Sequence, residues 1–228
     1  MTETPFKQAF FHSLPICLGY LCLGSAFALL MLQSGFQWYW AVLMSIVIYA
    51  GSMQFALVSL LATQTPLWFI ALMTVVINGR HLFYGIRFVE LFKKMGWKYP
   101  YMIFSLTDET FSVLLGVKLT DEHQDIAFYI ALFNHIYWIS GTILGCILGN
   151  TLPIDMKGVE FSMTALFIVI VIEQWKQSIS KLPFLIGGVT GLAMIYLFGT
   201  KYFLIYSLCC IIFLLVLFYD KKQGENMV

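Results

Sequence analysis

Three groups of polar residues stand in stretches that are otherwise apolar. IYAGSMQF (48–55) carries Tyr49, Gly51, Ser52 and Gln54. MTVVINGRHLFYG (73–85) carries Asn78, Gly79, Arg80 and His81 inside a run that extends from Leu67 to Phe92. FSLTDETF (104–111) carries Thr107, Asp108, Glu109 and Thr110. A guanidinium can take a carboxylate, and a carboxylate held among apolar groups can take an ammonium or a coupling proton. The combination suits a zwitterion such as an amino acid.

Each group has a plainer reading beside this one. Gly51-Ser52 either marks an opened turn, with backbone groups free for a ligand, or Ser52 bonds back to its own helix while Gln54 bonds a neighbour. Leu67–Ile77 spans eleven residues, about 16 Å of helix, which is half a membrane. Asn-Gly is a turn signal, so a break near 78–81 is expected between two half-helices. Such a break exposes amides at one end and carbonyls at the other. Otherwise Arg80 snorkels from the interface. Asp108 and Glu109 either face the same site or lie solvated on a surface segment.

The elements that must position these residues follow from composition. Of 228 residues 60% are hydrophobic and 11% charged, too few charges to cover a soluble surface. An all-α, polytopic integral membrane protein in a single transmembrane domain over 1–228 is expected, seated in a lipid bilayer. A crossing needs about 20 helical residues. Stretches at 14–34, 39–63, 67–92, 126–149 and 202–219 reach that length, and 159–175 and 183–198 are shorter. Segment 100–118 is amphipathic. If it is re-entrant, Lys93, Lys94, Lys98, Lys118, Lys176, Lys181, Lys221 and Lys222 share the cytoplasmic face. That gives about 6–7 transmembrane helices, seven with the N-terminus outside.

The remaining features exclude more than they assign. A net charge of +1 gives no reason to expect nucleic acid. The five cysteines lie in apolar segments without a Cys-x-x-Cys pair and read as small hydrophobes. Gly141, Gly145 and Gly149, and Gly187 with Gly191, have the small-xxx-small spacing of close helix packing. An intramembrane enzyme using His81 with Asp108 or Glu109 is a rival reading, and a non-transporting accessory subunit is another. No His-Glu-x-x-His, Gly-x-Ser-x-Gly or clustered metal ligands occur. No metal or other cofactor is expected.

Taken in order, Pro15 and Gly19, Tyr49-Ala50-Gly51-Ser52-Met53-Gln54-Phe55, Asn78-Gly79-Arg80-His81 and Thr107-Asp108-Glu109 resemble the large subunit of the AzlC-type branched-chain amino acid exporters. The resemblance is strongest over residues 12–115 and thin after 150. It implies a multi-pass transporter of the cell inner (plasma) membrane that exports leucine, isoleucine and valine, coupled to protons. It also implies a small membrane partner, the AzlD-type subunit. On this reading Tyr49, Gly51, Ser52, Gln54, Asn78, Arg80, His81 and Thr107 bind substrate. Asp108 and Glu109 partner the ammonium or carry the proton.

Overall fold

The computed structural model describes residues 4–117, 124–151, 168, 171, 172, 175 and 181–225. All regular structure among them is helical. The chain divides into two compact units, Met1–Thr164 and Ala165–Val228.

In the first unit two long helices, α1 (Pro5–Gln33) and α8 (Gln124–Thr151), lie side by side. Hydrophobicity drives little association between helices in lipid, so close backbone approach matters more. Glycine supplies it here. A Cβ added at Gly141 would lie 2.5 Å from the Tyr20 carbonyl oxygen, and one at Gly145 2.4 Å from that of Ser25. Gly149 meets Leu29 and Leu32 of α1, so the first glycine series does pack helices. Ser25 Oγ also donates to the Gly141 carbonyl at 2.9 Å. The α1 helix begins at Pro5, nine residues before the expected 14–34 segment. It ends where Gly35 (φ 83°) lets Gly35 N–H reach Leu32 O and Phe36 N–H reach Met31 O, the left-handed cap that glycine favours.

Between these two long helices the chain runs through short ones. They are α2 (Trp38–Val47), α3 (Gly51–Ala62), α4 (Leu67–Asn78), α5 (Arg80–Lys93), α6 (Tyr99–Phe104) and α7 (Asp108–Gly116). The 39–63 stretch is therefore two helices, each shorter than a crossing. The break near 78–81 is present as a 53° bend between α4 and α5. Gly79 keeps right-handed helical angles (φ −53°, ψ −28°), so this bend is not an opened turn. Segment 100–118 is likewise interrupted, at Ser105–Thr107.

The second unit contains α9 (Leu182–Glu225), interrupted at Gly199 (φ 67°). It takes in both the 183–198 and 202–219 stretches. Among the described residues no heavy atom stands within 4 Å of a Cβ at Gly187 or Gly191, so these show no close approach of the kind the first series makes. Among the described residues α1, α8 and the Leu182–Gly199 part of α9 are long and apolar enough to cross a membrane, and the bent α4–α5 pair makes up to four. The expected six or seven counted 39–63 as one crossing and included 159–175, most of which lies outside the described residues.

Candidate functional site

The first polar group sits at a true opening of the helix. Ile48 caps α2, Tyr49 turns left-handed (φ 44°), and Ala50 is non-helical (φ −132°, ψ 76°) before α3 starts. A tyrosine in this region is strained by about 1–2 kcal/mol, so packing must hold it. Its ring lies 4.2 Å from that of His135 and edge-on to Tyr20. His135 is itself fixed at both nitrogens, by Tyr101 Oη (3.1 Å) and the Ser45 carbonyl (3.2 Å). Gln54, 0% exposed, does not reach the cavity. Its Oε1 accepts from Ala50 N–H at 3.1 Å and from Trp138 Nε1 at 3.2 Å. It thus ties the opened turn to α8, as the reading in which Gln54 bonds a neighbour requires.

Ser52 does not bond back to its own helix. Its hydroxyl accepts from Arg80 Nη2 at 3.1 Å, and the same nitrogen pairs with Asp108 Oδ2 at 2.7 Å. Arg80 is thus turned inward and does not snorkel. The pair is a single contact and not the bidentate fork that Arg and carboxylate favour. Among the described residues Arg80 Nε and Asp108 Oδ1 are both buried without a partner. The bend that aims Arg80 depends on Gly79, since a Cβ there would stand 2.8 Å from the Val75 carbonyl oxygen.

Thr107 caps α7, its Oγ1 accepting from Thr110 N–H at 3.2 Å. Asp108 and Glu109 fill the first turn, where carboxylates complement the helix dipole. Tyr20 Oη of α1 donates to Glu109 Oε2 at 2.7 Å and lies 2.8 Å from Thr107 Oγ1. Asn134 Nδ2 of α8 donates to Thr110 Oγ1 at 3.1 Å, bracing the turn from behind.

The three interruptions meet at one cavity of about 30 Å³, room for a water or two. Gly51 and Ser52 from the first group, Asn78, Arg80 and His81 from the second, and Thr107, Asp108 and Glu109 from the third line it, with the Tyr49 hydroxyl. That hydroxyl is buried without a hydrogen-bond partner among the described residues. Tyr20 and Trp138 close the cavity from α1 and α8. Each stands near the middle of its helix, 15 residues from Pro5 and 14 from Gln124, about 20 Å along the axis. The cavity lies midway along two helices of membrane-crossing length. The helices α3 and α7 both begin there, so their positive dipole ends meet an anion in the site. Sequence reasoning passed over Tyr20 and Trp138, since aromatics abound in membrane helices. It passed over Asn134-His135 as well, although a polar pair in mid-helix is a visible signal.

Interrupted helices around charged groups, midway along membrane-length helices, define a polytopic α-helical membrane protein with a transporter's architecture. The family described as AzlC protein matches residues 15–152, and the chain belongs to that family. It is 37% identical over 210 residues to the branched-chain amino acid transport protein AzlC of Bacillus subtilis, covering 91% of this chain and 82% of that one. An uncharacterized membrane protein of Helicobacter pylori (strain ATCC 700392 / 26695) is 38% identical over 222 residues, 96% of each chain. The inner membrane protein YgaZ of Escherichia coli is 29% identical over 202 residues, 83% of this chain and 82% of that one. No solved structure matches the chain. The protein is a multi-pass membrane protein with a role in membrane transport.

Proposed function

We propose that the chain exports branched-chain amino acids of the leucine, isoleucine and valine class across the inner membrane. It does so coupled to protons, as the large subunit of a pair completed by a small AzlD-type membrane subunit. The observation that carries the reading is the half-made ion pair between Arg80 and Asp108, 2.7 Å apart at the mid-helix cavity with Nε and Oδ1 unfilled. A zwitterion supplies the two missing partners. Its carboxylate reaches Arg80 Nε and the first turns of α3 and α7, and its ammonium reaches Asp108 Oδ1. The Tyr49 hydroxyl, Asn78 and His81 complete the lining, with Gln54 holding the turn that presents Tyr49.

One guanidinium facing two carboxylates leaves the lining with room for one further positive charge. Asp108 is committed to Arg80. Glu109 is bonded to Tyr20 and, among the described residues, pairs with no cation, so it is the group that carries the proton. An amino acid is larger than the cavity. The site in this structure is therefore closed on its own ion pair, and it widens to admit substrate. The name of the Bacillus subtilis relative supports the substrate class.

The test is counterflow of labelled leucine in liposomes holding the purified chain with its small partner. Wild type exchanges leucine, while Arg80→Ala and Asp108→Asn insert and assemble but do not. Normal exchange by both variants refutes the site. A wild-type pair that catalyses no exchange refutes transport and leaves the accessory role.

A further inference from the structure

A second cavity, of about 160 Å³, lies beside the charged one and shares His81 with it. One wall is His81, Gly85 and Val89 of α5, four residues apart and so on one helix face. The other is Tyr99 and Ile103 of α6 with Leu106 just beyond it. Apart from His81 and the Tyr99 hydroxyl the lining is apolar. Both walls run directly into the charged cavity, since His81 follows Arg80 and Leu106 precedes Thr107.

The two spaces divide an amphipathic amino acid between them. The charged cavity supplies partners for a carboxylate and an ammonium but has no room for an alkyl chain. The groove has the room and no charge. We infer that the groove is the side-chain subsite of the transported amino acid, with His81 at the threshold between head group and side chain. Gly85, Val89, Ile103 and Leu106 then set the length and branching accepted. This inference rests on the transport reading above and adds to it the residues that choose among apolar amino acids. A lipid acyl chain is the other occupant an apolar groove in a membrane protein can have, and it would not distinguish one amino acid from another.

Gly85 provides the cleanest perturbation. Among the described residues no heavy atom stands within 4 Å of a Cβ at this position, so a larger side chain enters the groove without displacing their backbone. The assay is counterflow of labelled valine by the liposome pair, competed with unlabelled alanine, valine, leucine and phenylalanine. Gly85→Val weakens competition by leucine about tenfold relative to alanine, the lower end of what one methylene decides in an apolar pocket. Leu106→Ala, which enlarges the groove, shifts the order the other way, toward phenylalanine. Unchanged competition ratios in both variants, or an equal loss for every amino acid, overturn the inference, and with wild-type and Arg80→Ala behaviour as above they leave the transport reading standing. A wild-type pair without counterflow overturns both.

Discussion

The Arg80–Asp108 contact can be tested without any transport measurement, through a double-mutant cycle on stability. In Arg80→Ala the Asp108 carboxyl loses its cationic partner. In Asp108→Ala the guanidinium is left with Ser52 alone. The double variant removes both charges, so part of the damage done by each single change disappears. An exposed pair couples by about 0.2–1 kcal/mol, and breaking a buried one costs about 3–5 kcal/mol. Here the side chains are 27% and 34% exposed, which places the expected coupling between those limits, at about 1–3 kcal/mol. The assay is denaturant unfolding in detergent micelles, followed by tryptophan fluorescence, with Trp138 in the cavity wall as a local reporter. Single-variant losses that add within about 0.5 kcal/mol would refute the contact, and with it the half-made pair on which the functional reading depends.

Gly145→Ala drives a methyl against the Ser25 backbone and lowers stability by about 1–3 kcal/mol. Gly187→Ala, with no heavy atom of the described residues within 4 Å of the added Cβ, leaves stability unchanged or raises it by up to about 1 kcal/mol. Equal melting temperatures for the two variants in detergent would contradict the packing of α1 on α8. Gln54→Leu strips the acceptor from Ala50 N–H and Trp138 Nε1 together, at about 1–3 kcal/mol for each buried donor. Trp138→Phe removes a single donor and costs less, so thermal unfolding that ranks them in the opposite order would count against Gln54 as the brace of the turn.

The apolar stretches at 14–34 and 126–149 read directly as α1 and α8 because length and hydropathy suffice for a long span. Asn78-Gly79 announced a break, yet only the structure distinguishes a bend, in which Gly79 stays helical, from the opened turn that occurs at Tyr49. That opening is hidden in sequence because nothing local requires a tyrosine to turn left-handed. Contacts with Tyr20 and His135, 29 and 86 residues away in the chain, impose it. Gln54 looked like a site residue because it is polar in an apolar run. A buried amide bonded to the main chain and one bonded to a ligand have the same sequence signature. Asp108 and Glu109 stayed open in sequence between the site and a solvated face, because that choice rests on their distant partners Arg80 and Tyr20.

Because α3 and α7 begin at the cavity, part of its pull on an anion is carried by the main chain, roughly half a positive charge at each start. No codon change removes a peptide dipole. A scan that trims side chains to alanine will find Arg80 and miss this contribution, and the residual affinity of an Arg80→Ala protein will measure it. Replacing single amides by esters in the first turns of α3 and α7 reaches the component that side-chain mutagenesis leaves untouched.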